Sequence, residues 1–155
     1  MKLTRYTDYA LRVLIYLGLK PDALGSIGDI AERYDISENH LMKVVQELGR
    51  AGYLSTQRGR GGGIKLGRAP DSIRIGDVVR LTEEDFDIAE CGGCVIGGAC
   101  GLTSVFARAT AAFLAVLDQY TLADLIQFGD ANRALSRLGI GPQKPRRALR
   151  AAAAQ

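Results

Sequence analysis

Three cysteines, Cys91, Cys94 and Cys100, fall within ten residues of a 155-residue chain, in the stretch ECGGCVIGGACG. Their spacing is C-x2-C-x5-C, and Gly92, Gly93, Gly97 and Gly98 between them let a backbone turn sharply and bring three sulfurs toward one point. Thiolates grouped in this way bind metal, either as a structural zinc site or as an iron–sulfur cluster. A zinc site usually takes four nitrogen or sulfur ligands, and the chain has one histidine, His40, far upstream. A disulfide with one thiol left over suits a reducing compartment poorly. Three cysteines in a cluster site leave one iron to a weaker ligand, and such an iron is open to attack by a small molecule. On spacing alone, zinc and a cluster stay equally open.

The elements that must position this loop read mainly as helices. TRYTDYALRVLIYLGLK places Tyr6, Tyr9, Ala10, Val13, Leu14 and Leu17 on one helical stripe, with Thr4 able to cap its start. SIGDIAERYDISENHLMKVVQELGRAGYL then predicts two helices joined by a short turn. Ser26 and Asp29 have capping-box spacing, Ser37 is the second N-cap, and Ile36 and Leu41 stand where a hydrophobic staple requires them. Leu41, Val44, Val45 and Leu48 form the inner face of the second helix, and Gly52 stops it. Its outer face carries Ser37, Glu38, Asn39, His40, Lys43, Gln46 and Arg50, side chains that reach base edges and phosphates from a major groove. YLSTQ and IKLG flank RGRGGG as two strands around a turn, a wing whose Arg58 and Arg60 would enter a minor groove. No Gly-Lys-Ser/Thr follows those glycines, which excludes a phosphate-binding P-loop.

Beyond the wing, Ile75, Val78 and Val79 mark a short helix packed back on this domain. After the cysteines, LTSVFARATAAFLAVLDQY repeats apolar residues nearly every heptad, including Leu102, Val105, Phe106, Phe113, Val116 and Leu117. So long an apolar stripe beyond a small domain is expected to pair with the same helix of a second subunit, placing two recognition helices about one duplex turn apart. Thr121 and Asp124 open a further short helix. The expected fold is mainly α with a small two-stranded wing: a winged helix-turn-helix domain over 1–80, a cysteine loop over 81–101, a dimerisation helix and short helix over 102–128, and a disordered basic tail over 129–155.

Hydrophobic residues make up 47% and charged residues 24% of the chain, enough to bury one core. No apolar run reaches the roughly 18–20 residues a membrane span needs, and the N-terminus does not read as a secretion signal, so a cytoplasmic protein without membrane attachment is expected. The net charge of +3 is small, but basic residues dominate before Arg68 and after Gly139, while Glu83, Glu84, Asp85, Asp87 and Glu90 make the middle acidic. That distribution fits a nucleic-acid-facing N-terminal half. No Ser/His/Asp set and no nucleotide loop is present, so an enzyme is not expected.

The ordered motifs TDYALR, ISENHLMKVVQELGRAGYL, RGRGGGIKLG, IGDVVR, the cysteine loop and YTLADL resemble the NsrR/IscR/RirA family of winged-helix iron–sulfur repressors, from Met1 to about Phe128. The resemblance implies a cluster ligated by Cys91, Cys94 and Cys100, 4Fe-4S in preference to 2Fe-2S. It also implies that Asp8 of TDYALR completes the ligand set by crossing from the partner subunit, with Arg12 at i+4 pairing with it and tuning its carboxylate. In the cluster-assembly branch a histidine three residues after the last cysteine is the fourth ligand; that position is Thr103 here, which sets this chain apart from that branch. The gap between the first two cysteines is also shorter than in many relatives. The functional expectation is a homodimeric repressor on a pseudo-palindromic double-stranded DNA operator, with nitric oxide as signal and DNA binding lost on nitrosylation of the cluster. The alternatives are an iron- or redox-responsive repressor of the same family and a zinc-stabilised DNA-binding module.

Overall fold

Thr4 is extended, and its hydroxyl accepts the Thr7 N–H, so α1 (Arg5–Leu19) starts as predicted. The computed structural model describes residues 2–89, 91–96 and 99–141. Ala10, Val13, Leu14 and Leu17 are buried as expected, and Tyr6 and Tyr9 are half-buried. Tyr16 is fully buried although it lies off that stripe, because α1 is packed from several sides at once. Ser26 opens α2 (Ile27–Tyr34) by accepting the Asp29 N–H at 3.0 Å. Ser37 occupies the N-cap of α3 (Glu38–Arg50) but makes no side-chain cap bond; its carbonyl accepts from His40 and Leu41 instead. Leu41, Val44, Val45 and Leu48 are buried, and Gly52 follows the helix at φ 76°.

β1 (Leu54–Gln57) and β2 (Gly63–Leu66) pair antiparallel, with Leu54 opposite Leu66 and Gln57 opposite Gly63. A single 3-10 turn, Pro70–Ser72, leads into α4 (Ile75–Thr82), which buries Ile75, Val78 and Val79. α5 (Leu102–Leu117) follows the cysteine loop, and α6 (Leu122–Phe128) packs back on α1 behind a complete Thr121–Asp124 capping box. Hydrogen bonds from Thr121 hold the Asp124 carboxyl below its ordinary range. Seven helices and one hairpin therefore make up the described residues, mainly α with a wing as predicted.

α5, at 16 residues the longest helix among the described residues, differs from every other α-helix in burying no residue. Leu102, Val105 and Val116 are 48%, 56% and 51% exposed, and Phe106, Phe113 and Leu117 are only half-buried. Its C-terminal end is nonetheless anchored. The Ile75 N–H donates to Tyr120 O at 3.0 Å, the Leu122 N–H donates to Ile73 O at 2.8 Å, and Arg80 forks onto Asp118 at 2.6 and 2.7 Å. The Asp118 carboxylate lies so close over Gly76 that a β-carbon there would clash. The Arg80 guanidinium holds Asp118 below the usual carboxylate range.

The expected disorder of 129–155 needs correction at its start. Ala131–Arg137 form α7, capped by Asp130, which accepts the Arg133 N–H at 2.9 Å. Leu135 is only 3% exposed, and Arg33 of α2 donates to Leu138 O. One buried leucine and one cap outweigh the polar, Ala/Arg-rich composition. Lys144, Arg146, Arg147 and Arg150 lie outside the described residues, as do Glu90, Gly97 and Gly98.

Tyr16 donates to the Asp29 carboxylate, which Arg33 also holds at 2.7 Å. Burial first, and then Asp29, push the Tyr16 hydroxyl up to about 12 from its ordinary 10. The folded state therefore holds this proton more tightly than the unfolded chain. The resulting stability, on the order of 2–3 kcal/mol, is present below pH 10 and is lost as pH rises toward 12. Chemical denaturation across that window is expected to show a shallower loss for Tyr16→Phe than for the unaltered chain. Equal slopes would remove Tyr16 as the cause.

Candidate metal loop and DNA-binding face

The burial of Leu41, Val44, Val45 and Leu48 turns the other side of α3 outward. Ser37, Glu38, Asn39, His40, Lys43, Gln46 and Arg50 are all exposed along it. Arg58 and Arg60 are exposed at the wing tip, where Gly59 and Gly61 take φ of 103° and 78°. The structure therefore brings the predicted DNA-contacting residues onto the helix and hairpin of one winged domain. Tyr6 of α1 donates to Lys43 O at 3.2 Å, joining α1 directly to the outward helix. Burial and the neighbouring Glu47 carboxylate push the Tyr6 hydroxyl up to about 12 from its ordinary 10.

Between α4 and α5 the chain carries the three thiols, all free. Cys91 is half-buried and lines a hollow of about 570 Å³ against α5, together with Phe86, Ile88, Phe106 and Leu114. Cys94 is exposed, and its N–H closes a tight turn onto Cys91 O at 3.3 Å. Cys100 is half-buried, and its Sγ accepts the Leu102 N–H at 3.5 Å. Among the described residues no three His, Cys, Asp or Glu side chains are gathered closely enough to hold a metal. The expected convergence of the sulfurs is thus not formed by the loop itself. In metal-binding loops generally, the ligands come together only as the metal binds, because folding and binding are coupled.

The donor set still discriminates between metals. His40 is exposed among the outward residues of α3 expected to face DNA, so a three-cysteine, one-histidine zinc site would take over that surface. Asp8 offers a carboxylate on the exposed side of α1, beside a hollow of about 580 Å³ that also meets Tyr9, Arg12, Tyr34 and Asp35. Arg12 grips it with Nε to Oδ1 at 3.1 Å and Nη2 to Oδ2 at 2.8 Å, while stacking 5.6 Å from the Tyr34 ring centroid. Three thiols with no histidine gathered beside them suit the thiolate ligation of an iron–sulfur cluster, while Asp8 lies on a different element.

One residue that the sequence did not reveal ties the loop to the rest of the fold. Glu83 Oε1, at the end of α4, accepts from Thr4 N at 2.8 Å, Thr4 Oγ1 at 3.0 Å and the buried Thr7 hydroxyl. It caps α1 across 79 residues of sequence, and no local signal predicts that.

A winged helix-turn-helix joined to an unburied helix by a cysteine loop defines a class of DNA-binding transcriptional regulator rather than an enzyme. The Rrf2 model, described as an iron-dependent transcriptional regulator, matches residues 3–127, and the chain belongs to the Rrf2 family. Its similarity to the HTH-type transcriptional regulator NsrR of Bacillus licheniformis is 54% identity over 141 residues, covering 87% of this chain and 99% of that one. The Bacillus subtilis NsrR is 57% identical over 133 residues, covering 82% and 91%. Among solved structures, CymR, the global cysteine regulator of B. subtilis, superposes with a TM-score of 0.71 at 30% identity, covering 84% and 99%. IscR of T. potens does so with a TM-score of 0.70 at 28% identity, covering 86% and 90%. No described helix is long and apolar enough to cross a membrane.

Proposed function

We infer that this chain is a homodimeric repressor whose cysteine loop holds an iron–sulfur cluster, 4Fe-4S in preference to 2Fe-2S, and whose DNA binding is released by nitric oxide. The observation that carries this reading is the position of the three free thiols, on the one segment linking the winged domain to the unburied α5. Cys91, Cys94 and Cys100 would hold the cluster, and Asp8 from the partner subunit would supply the fourth ligand. When bound, the cluster supplies iron that reacts with nitric oxide. The chain's own residues do the transmitting. Glu83 ties the start of the loop to the N-terminus of α1, and Tyr6 ties α1 to Lys43 of α3. Arg80 and Asp118 hold the far end of α5 against α4. A change in the loop is thereby passed to both the pairing helix and the recognition helix. Misplacing the two recognition helices by a few ångströms removes several phosphate contacts together.

The test is anaerobic holo-protein titrated with nitric oxide while binding is followed to a duplex that it selects from a random pool. Affinity is expected to fall at least ~100-fold near stoichiometric nitric oxide. Unchanged binding sinks the reading. The iron-dependent description of the matching family favours one second reading, an iron-responsive repressor. It is selected if chelating iron releases the duplex and nitric oxide does not.

A further inference from the structure

Arg68 follows β2 by two residues and was not among the residues expected to matter. Its Nη2 donates to Ala51 O at 2.5 Å and its Nε to Gly52 O at 3.2 Å, so one guanidinium satisfies two carbonyls at the end of α3. The same group lies 4.5 Å from the ring centroid of Tyr53, the residue before β1. Next to it, Gly67 N–H donates to Tyr53 O at 2.8 Å. A cation at a helix C-terminus also meets the negative end of the helix dipole. Arg68 thus grips the end of the recognition helix, the entry to β1 and the exit from β2 with a single side chain.

We propose that Arg68 is a positioning residue that sets the angle of the wing against the recognition helix. Among the described residues the wing is otherwise held by a two-bond bridge between Ile64 of β2 and Gly25, with both N–H···O bonds at 2.8 Å, and by the burial of Leu54 and Ile64 in the core. Those contacts fix the inner face of the hairpin to the core, and the grip of Arg68 ties its base to the end of α3. A four-residue strand is roughly 13 Å long, so a tilt of about 10° at the base shifts the tip by about 2 Å. Such a shift is enough to take Arg58 and Arg60 out of register with a groove while the recognition helix stays in place. The proposal rests on the reading of α3 and the wing as the DNA face.

The experiment is a double-mutant cycle on the full chain, with the duplex selected from a random pool by the unaltered protein. Arg68→Ala is expected to weaken binding about 10-fold in the native background but less than about 2-fold when Arg58→Ala and Arg60→Ala are already present, because both act through one contact. Arg68→Lys is expected to resemble Arg68→Ala, since an ammonium does not fork across two carbonyls and stack on Tyr53. It keeps the charge, and an unchanged melting temperature for it separates positioning from loss of fold. Equal losses in both backgrounds, or full affinity for Arg68→Lys, overturn the proposal alone. An Arg58→Ala/Arg60→Ala chain that binds like the unaltered one removes the wing from the DNA face and overturns both readings.

Discussion

A chain carrying Val105→Asp and Val116→Asp is expected to be monomeric and to bind its duplex about 10²–10⁴-fold more weakly than the unaltered protein. The two valines are 56% and 51% exposed on α5, which buries none of its residues. They share the stripe of Leu102, Phe106, Phe113 and Leu117, so a partner helix lying along α5 covers them all. Within one chain either place is more than half exposed, so an aspartate there stays hydrated and leaves the core of the winged domain untouched. Across a two-fold axis the same substitution buries charge against charge without a partner, which an interface does not tolerate. The loss of affinity follows from geometry. A single chain has one recognition helix, while a dimer makes the second half-site contact an intramolecular event at high effective concentration. Sedimentation and operator titration on one preparation check both halves. A variant that stays dimeric places the interface elsewhere, and a monomer with native affinity removes the need for two half-sites.

What the sequence made legible and what it concealed divide along the range of the interactions. α1, α2, α3 and the wing are announced locally, by Thr4, by Ser26, by the Leu41–Leu48 spacing and by the RGRGGG turn, and each forms where its neighbours along the chain dictate. Glu83 capping Thr4 and Thr7, Arg33 meeting Leu138, and Arg68 closing over α3 involve partners 79, 105 and 17 residues away, with no periodicity to betray them. α7 was hidden for the same reason. A single buried leucine on a seven-residue helix yields no stripe, and the bond that reaches its end from α2, Arg33 to Leu138 O, crosses 105 residues. The candidate metal site was half legible. Residue types and spacing name the thiols, but their mutual arrangement is no property of the bare loop, because the attraction that gathers thiolates belongs to the metal. A ligand from a partner subunit is invisible to spacing altogether, and only resemblance to a family points to Asp8.

Iron content divides the proposed ligands into two groups. Cys91→Ala, Cys94→Ala and Cys100→Ala chains, purified anaerobically, are each expected to hold iron near background and to lack the visible absorbance of a cluster. Asp8→Ala is expected to keep iron and sulfide but to shift that absorbance and alter the rate of reaction with nitric oxide. The asymmetry rests on bond strength: removing one of three thiolates from a cluster site leaves two, whereas a carboxylate at an exchangeable position is replaced by water or a buffer anion. Loss of fold does not imitate either result. The cysteines are exposed or half-buried, so truncation to alanine opens no core cavity. Asp8 and Arg12 form an i,i+4 pair at 46% and 41% side-chain exposure, where such a pair contributes only about 0.3–0.5 kcal/mol. Melting curves for all four variants should therefore overlay in the metal-free state while their iron counts separate. Arg12→Ala supplies a further discriminant, because it frees both carboxylate oxygens without removing the ligand: its iron and sulfide counts should stay those of the unaltered protein while the rate of reaction with nitric oxide shifts. Full iron in any cysteine variant takes that thiol out of the site. An Asp8→Ala spectrum identical to the original assigns the fourth position to another group and leaves the Asp8–Arg12 pair as an ordinary surface contact.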